Sequence, residues 1–83
     1  MRPFEDYTSM TEEDREFVIR LLFYEYLQTI NSNRRVNRGV QHVSELIDID
    51  IHKNVILENY EVCVVLRDMK RKFKDDIEIN DNL

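Results

Sequence analysis

Few side chains in this sequence are of a type that does acid–base, nucleophilic or metal chemistry, and their spacing forms no complete set. Asp48 and His52 are four residues apart, which on a helix would present both side chains to one metal ion. Two ligands do not complete a metal site, and His42, the other histidine, adds no matching spacing. We interpret both histidines as solvated or helix-capping residues.

The single cysteine, Cys63, lies on the apolar seam of a predicted helix, where a thiol most often behaves as a small buried hydrophobe. No second cysteine is present for a disulfide, and no histidine has a spacing that ties it to this thiol. The sequence also lacks a phosphate-binding glycine loop, a Gly-x-Ser-x-Gly nucleophile elbow and a His-Glu-x-x-His motif. We therefore predict no enzymatic activity, no cofactor and no metal site.

Positive charge is gathered into two short segments of a chain whose net charge is −5. Residues 31–40 hold three arginines and no acid, and residues 67–74 hold five basic residues and one aspartate. In an up–down–up arrangement of three helices, the two segments would meet at one pole. The hypothesis is a composite basic patch that holds phosphates or an acidic partner. Its members are Arg34, Arg35, Arg38, Lys70, Arg71, Lys72 and Lys74.

A plainer interpretation of these charges is that cations near the C-terminal ends of helices offset the helix dipole. The sequence pI of about 4.9 also argues against sequence-specific DNA binding, which favours a basic domain. Two alternative functions stay open from the charges alone. One is a small nucleic-acid-associated regulator that uses the basic patch, and the other is an inhibitor whose acidic faces imitate nucleic acid.

The elements that position these residues are predicted to be helices, because the chain has one glycine, one proline and 35% charged residues. Residues 11–31 form the strongest element, with apolar residues three and four apart and acids in the first turn. Either Ser9 with Glu12 or Thr11 with Asp14 forms its N-terminal capping pair. Its apolar residues cover well over half of the circumference, which is more than a surface helix needs.

The second half of the chain is predicted as a short helix followed by a long one. Apolar residues at helical spacing place the short helix at about 40–48. The alternation of apolar and polar residues near 46–52 is also compatible with a short β-like segment. A seam of heptad type predicts the long helix from about 54 to 74.

These elements predict a small all-α domain of three helices, two long and one short. The helical domain covers residues 11–74 and is preceded by an extended lead-in over residues 1–10. Residues 75–83 are acidic, and we expect them to form a frayed tail. No apolar run approaches a membrane span and the N-terminus lacks a signal-peptide layout, which favours an intracellular protein, cytoplasmic or nuclear.

The two long helices carry more apolar surface than an 83-residue monomer can readily cover. We therefore interpret the chain as a non-catalytic protein–protein interaction module, either an adaptor or a complex subunit. Its partner would be a second copy of itself or a larger protein. The predicted interface residues are Phe17, Leu21, Phe23, Tyr24, Leu66, Met69 and Phe73.

Overall fold

The computed structural model describes Phe4, residues 6–36 and residues 39–82, and this part of the chain is all-helical. One turn of 3-10 helix, Tyr7–Ser9, leads into the α-helices. They are α1 (Glu12–Val36), α2 (Val43–Ile56), α3 (Tyr60–Lys72) and α4 (Lys74–Asp81). The predicted all-α class is confirmed. The predicted count of three helices is wrong, and the β-like segment does not form.

Helix α1 continues past Asn31, where the predicted helix ended. Its start uses the second of the two capping pairs, because the backbone N–H of Asp14 donates to Oγ1 of Thr11 at 3.1 Å. The first turn is acidic and the last turn contains Arg34 and Arg35. Both ends therefore match the helix dipole, which favours the extra turn at the C-terminal end.

The alternating segment 46–52 lies inside α2 rather than in a strand. Alternation is compatible with a helix here because Val43, Ile47 and Ile51 also recur every four residues and share one face. Val43 and Ile47 are fully buried, and Ile51 is half-buried. Because α2 packs against α1, α3 and α4, burial of this face decides in favour of the helix.

The predicted helix over 54–74 is divided by a turn. Helix α2 ends at Ile56, and Glu58 has a φ of 60°, the left-handed conformation that commonly ends a helix. Helix α3 begins at Tyr60 and ends before Phe73, where the chain bends into α4. The heptad-type seam is therefore confined to α3.

The segment predicted as a frayed acidic tail contains α4, which packs against α2. Ile77 of α4 is buried, and Asp81 caps the N-terminus of α2 from across the fold. Oδ1 of Asp81 accepts a hydrogen bond from the backbone N–H of Val43 at 2.7 Å, and Oδ2 accepts one from the hydroxyl of Ser44 at 2.5 Å. These contacts order the segment, because they satisfy polar groups that a free helix end leaves unpaired.

The core takes apolar side chains from every helix. Its members are Tyr7, Ile19, Phe23, Tyr26, Ile30, Val43, Ile47, Val65, Leu66, Met69 and Ile77. Phe73 extends this core by stacking on Phe23, with ring centroids 4.7 Å apart. None of the helices in the described ranges combines enough length with enough apolar character to traverse a bilayer.

Candidate functional site

The residues predicted as an interface divide into an exposed set and a buried set. Phe17, Leu21 and Tyr24 are exposed on α1, at 63%, 52% and 57% of their full surface. They follow one another at four- and three-residue steps, so they form one stripe. Leu21 lies roughly 160° around the helix from both Ile19 and Phe23, which face the core. We call this stripe the α1 outer face.

The other predicted interface residues are covered by their own chain. Phe23, Leu66 and Met69 are buried, and Phe73 is half-buried against Phe23. They are core residues rather than interface residues, which corrects the sequence-based prediction. Periodicity places apolar residues on a helix face, but it does not say which of two apolar faces the fold covers.

A shallow groove of about 290 Å³ runs beside the α1 outer face. Its walls include Phe17 and Leu21 of the stripe, and Phe4 from the N-terminal segment. Val18 and Leu22 also line it and are half-buried, so the apolar surface continues from the stripe toward the core. A partner side chain can therefore insert beside the stripe as well as lie across it.

Acidic side chains lie at both ends of the α1 outer face. Glu13 and Asp14 are exposed in the first turn of α1, and Glu25 borders the apolar groove. Arg20 is exposed on the same helix, and its guanidinium donates to Oε1 of Glu16 at 2.8 Å. The face is therefore apolar in its middle, with two acids at its N-terminal end and one acid at its C-terminal end.

In the first basic cluster, residues 31–40, Arg34 is hydrogen-bonded to other parts of its own chain. The guanidinium of Arg34 donates to the carbonyl of Asn80 at 2.5 Å and to the carbonyl of Gln41 at 3.3 Å. These bonds connect the end of α1 to α4 and to the segment before α2. Arg35 is exposed in the last turn of α1, and Arg38 lies outside the described residues.

The second basic cluster lies near the other end of α1. The ammonium of Lys72 is 3.9 Å from Oε1 of Glu12, whereas Arg34 lies further along α1 by about 33 Å, at 1.5 Å per residue. The two clusters therefore do not meet at one pole: Lys72 lies at the opposite end of α1 from Arg34, and Lys74 lies at the opposite end of α4 from the carbonyl that Arg34 binds. Helix α4 occupies the position beside Arg34 that a three-helix bundle would give to the end of α3.

The second cluster forms a basic surface of its own, which also includes Arg15 and Arg67. Two adjoining grooves of about 460 Å³ and 420 Å³ share Arg67 and Arg71 in their walls. Their cationic lining residues are Arg15, Arg67, Lys70, Arg71, Lys72 and Lys74. Arg71 contacts Asp68 at 2.5 Å and Lys70 contacts Asp48 at 2.6 Å. Water reaches both members of the Lys70–Asp48 pair, which therefore contributes little to stability, whereas the side chain of Asp68 is only 15% exposed.

An exposed apolar patch adjoins this basic surface on α3. Tyr60 and Val64 are 57% and 41% exposed, and exposed Arg67 and Arg71 follow them on the same side of the helix. Val64 lies roughly 160° around α3 from buried Leu66. We call the row of Tyr60, Val64, Arg67 and Arg71 the α3 outer face. The helical spacing of these four residues can be read from the sequence. That they are exposed follows only from the structure, in which the apolar seam on the other side of α3 is the side that is buried.

Two hydrogen bonds between tyrosine and aspartate hold the helices beneath these faces. The hydroxyl of Tyr7 donates to Asp68, and the hydroxyl of Tyr26 donates to Oδ2 of Asp50 at 2.5 Å. Burial, reinforced by the neighbouring carboxylate, raises the pKa of both tyrosines. Burial opposes ionisation of Asp68, but hydrogen bonds from Tyr7 and Arg71 outweigh it and lower the pKa of Asp68.

The histidines and the cysteine, the other side chains suited to catalysis or metal binding, do not form a site. His42 immediately precedes α2 and His52 lies on that helix, and both are exposed. Cys63 is buried, and its thiol donates to the carbonyl of Ile51 at 3.5 Å. Within the described ranges, no three His, Cys, Asp or Glu side chains are grouped so as to hold a metal ion.

Comparison of the chain with protein-family models, with curated proteins and with solved structures finds no match. Two surfaces of the protein, the α1 outer face and the α3 outer face, display large apolar side chains in regular rows beside charged residues. Such rows are typical of surfaces that bind other helices.

Proposed function

We propose that the protein is a non-catalytic protein-interaction module whose binding element is the α1 outer face. The observation that supports this most directly is that Phe17, Leu21 and Tyr24 stand in a row on the side of α1 opposite the core. Single exposed apolar residues are ordinary on a protein surface. A contiguous row with two aromatic side chains is typical of an interface, because aromatic anchors supply much of the binding energy there.

The charges around the row indicate the chemistry of the partner. Glu13 and Asp14 lie at its N-terminal end, and Glu25 lies at the groove beside it. We infer that the partner is an amphipathic helix with apolar residues at helical spacing and with Lys or Arg beside them. Antiparallel packing would place the C-terminal end of that helix against the acidic first turn of α1. Cations at a helix C-terminus are also favoured by the dipole.

The alternatives suggested by charge alone receive less support. A nucleic-acid-associated regulator was expected to use Arg34, Arg35 and Lys70–Lys74 as one patch, and these two clusters lie beside different parts of α1. An inhibitor that imitates nucleic acid needs a continuous row of acids. The acids of α1 instead border an apolar stripe, which suits a protein partner better.

The proposal is tested by titrating dilute protein against fluorescent helical peptides built on one scaffold. The peptides share an apolar stripe and differ only in carrying Lys or Glu at the flanking positions. We expect the Lys series to bind at least about tenfold more tightly, because it complements Glu13, Asp14 and Glu25. We expect the double variant Phe17→Ser, Leu21→Ser to lose about tenfold or more of this affinity.

Ile79→Ser is the matched control, because Ile79 on α4 is as exposed as Phe17, at 63%. It should bind the Lys series like the natural chain. Equal binding of the Lys and Glu series would reject a basic partner. Undiminished binding by the double variant would reject the α1 outer face as the binding element.

A further inference from the structure

The α3 outer face has the properties that the proposed function asks of a partner for α1. Its first half is apolar, with Tyr60 and Val64 exposed, and its second half is basic, with Arg67 and Arg71 exposed. The basic half borders the two grooves in which cations outnumber acids. This surface therefore offers an apolar stripe whose C-terminal end is positive, the complement of the α1 outer face.

The two rows are also nearly equal in length, spanning 10 residues on α1 and 11 on α3, so they can lie side by side when the helices run antiparallel. The rows have steps of three, four and three residues on α1 from Asp14 to Tyr24, and of four, three and four on α3 from Tyr60 to Arg71. Counted from the end at Tyr24 and Tyr60, facing members of the two rows stay within one residue of each other, or about 1.5 Å along the helix axis. The facing pairs would be Tyr24 with Tyr60, Leu21 with Val64, Phe17 with Arg67 and Asp14 with Arg71.

We propose that the α3 outer face receives the α1 outer face of a second copy of this chain, packed antiparallel. The proposal rests on the proposed function, for which it names the partner. Each facing pair is chemically matched: two tyrosines, two aliphatic side chains, an arginine over an aromatic ring, and an opposite-charge pair. A helix paired in the parallel sense would instead bring Asp14 to the apolar end, against Tyr60, and would place Leu21 and Tyr24 against Arg67 and Arg71.

The basic end of the α3 outer face is open to an additional acidic partner. The side chain of Arg71 is 77% exposed although it contacts Asp68 at 2.5 Å. A guanidinium has five N–H donors, so its exposed side can also bind an incoming Asp14 while the contact with Asp68 is kept. Glu13 of the same copy would approach Lys74, which lines the adjoining groove. Opposite charges at this end of the contact would fix the register and the direction of the helices.

Every copy of the chain carries both faces, so the contact is reciprocal. If a two-fold rotation relates the two copies, two α1–α3 contacts form and the dimer is closed. If another rotation relates them, each copy leaves one face uncovered and an open chain of copies grows. Both outcomes have the same pair of faces at each contact. Solution mass as a function of concentration distinguishes them.

The experiment measures molar mass by light scattering from about 10 μM to about 1 mM chain, a range suited to an interface of modest size. We expect the natural chain to rise from one copy to two or more. Leu21→Arg disrupts the α1 outer face and Val64→Asp disrupts the α3 outer face, and each variant alone should weaken association by about tenfold or more. Both positions are exposed, and circular dichroism confirms that each variant is folded.

Mixing the two variants tests directly whether the α1 outer face pairs with the α3 outer face. The intact α1 outer face of the Val64→Asp chain can then pair with the intact α3 outer face of the Leu21→Arg chain. The substituted faces also present Arg against Asp. We expect the mixture to associate more strongly than either variant does alone. The control Ile79→Arg should associate like the natural chain, because Ile79 lies on neither face.

Several results would overturn the inference. A chain that stays monomeric at about 1 mM while the Lys peptides bind would reject self-pairing and leave the proposed function intact. Association that is abolished by Leu21→Arg but unaffected by Val64→Asp would indicate pairing of two α1 outer faces instead. Binding of labelled single-stranded DNA that Arg67→Glu abolishes, with no self-association, would assign the α3 outer face to nucleic acid.

Discussion

The two sides of helix α1 carry similar side chains and have opposite environments. Ile19 and Phe23 point inward and are buried, while Leu21 and Phe17 point outward and are more than half exposed. Both sides have apolar residues at steps of three and four, so their periodicity is equivalent. What separates them is the position of α2 and α3, which pack on one side of α1 only.

This difference assigns two roles to one helix. The inner side supplies stability, because burial removes its apolar surface from water in the folded monomer. The outer side keeps its apolar surface exposed in the monomer, and that surface becomes buried only when another molecule covers it. Substitutions on the two sides should therefore change different measurable quantities.

The largest expected effect separates the two sides by stability. Phe23→Ala removes a buried ring that stacks on Phe73, and we expect a loss of about 3–5 kcal/mol in the free energy of unfolding. Phe17→Ala should change it by less than about 0.5 kcal/mol. Urea denaturation of dilute protein measures both. A comparable loss in the two variants would mean that the α1 outer face is packed by its own chain.

The next effect concerns a buried tyrosine of the inner side and its response to alkali. Burial and the hydrogen bond to Asp50 raise the pKa of Tyr26 in the folded state. Its contribution to stability is therefore complete below the unfolded value of about 10 and declines as the pH rises above it, by about 1.4 kcal/mol per pH unit. In Tyr26→Phe, the free energy of unfolding should therefore fall less steeply above pH 10 than it does in the natural chain. Urea denaturation between pH 8 and pH 11 measures it.

Tyr24→Phe, on the outer side, is the matched control for the substitution itself. At neutral pH it should change the free energy of unfolding by less than about 0.5 kcal/mol. If the natural chain and Tyr26→Phe lose stability equally above pH 10, the hydroxyl of Tyr26 does not contribute the expected proton linkage, and the contrast between the two tyrosines is one of packing alone.

The smallest expected effect sharpens the role of the outer side. In the proposed antiparallel register, Glu25 of one copy would approach Glu61 of the other, and this like-charge pair would oppose association. Glu25→Lys should strengthen self-association by about two- to fivefold, the size typical of an exposed charge pair. Light scattering over concentration measures the change. Glu45→Lys, at an exposed site on α2, makes the same change in net charge; an equal gain there would attribute the effect to net charge.

The sequence predicted local helices well where charge and periodicity agreed. Thr11 with Asp14 was one of two expected capping pairs at the start of α1, and it forms. The turn at Glu58 was missed because the apolar pattern continues through it, with Val55 and Ile56 placed as though on the seam of one long helix. Helix α4 was missed because Asp81 caps α2 from a distance that local sequence does not reveal.

The candidate site was only partly predictable for the same reason. Phe17, Leu21 and Tyr24 belonged to the predicted interface, and so did four residues that the chain itself covers or half-covers. The basic surface around Arg67 was not predicted, because Lys70–Lys74 were expected to lie beside Arg34 instead. Which residues share a surface depends on how helices cross, and crossing is a property of the assembled core.

Helical class, the capping of α1 and the excess of apolar surface follow from the order of residues, because they depend on interactions within a few turns of one chain segment. The division of that apolar surface into a core and two outer faces, and the separation of the basic clusters, follow from tertiary packing. Burial is a collective outcome: a residue such as Phe23 is covered only once α3 brings Phe73 against it, and no local pattern contains that information.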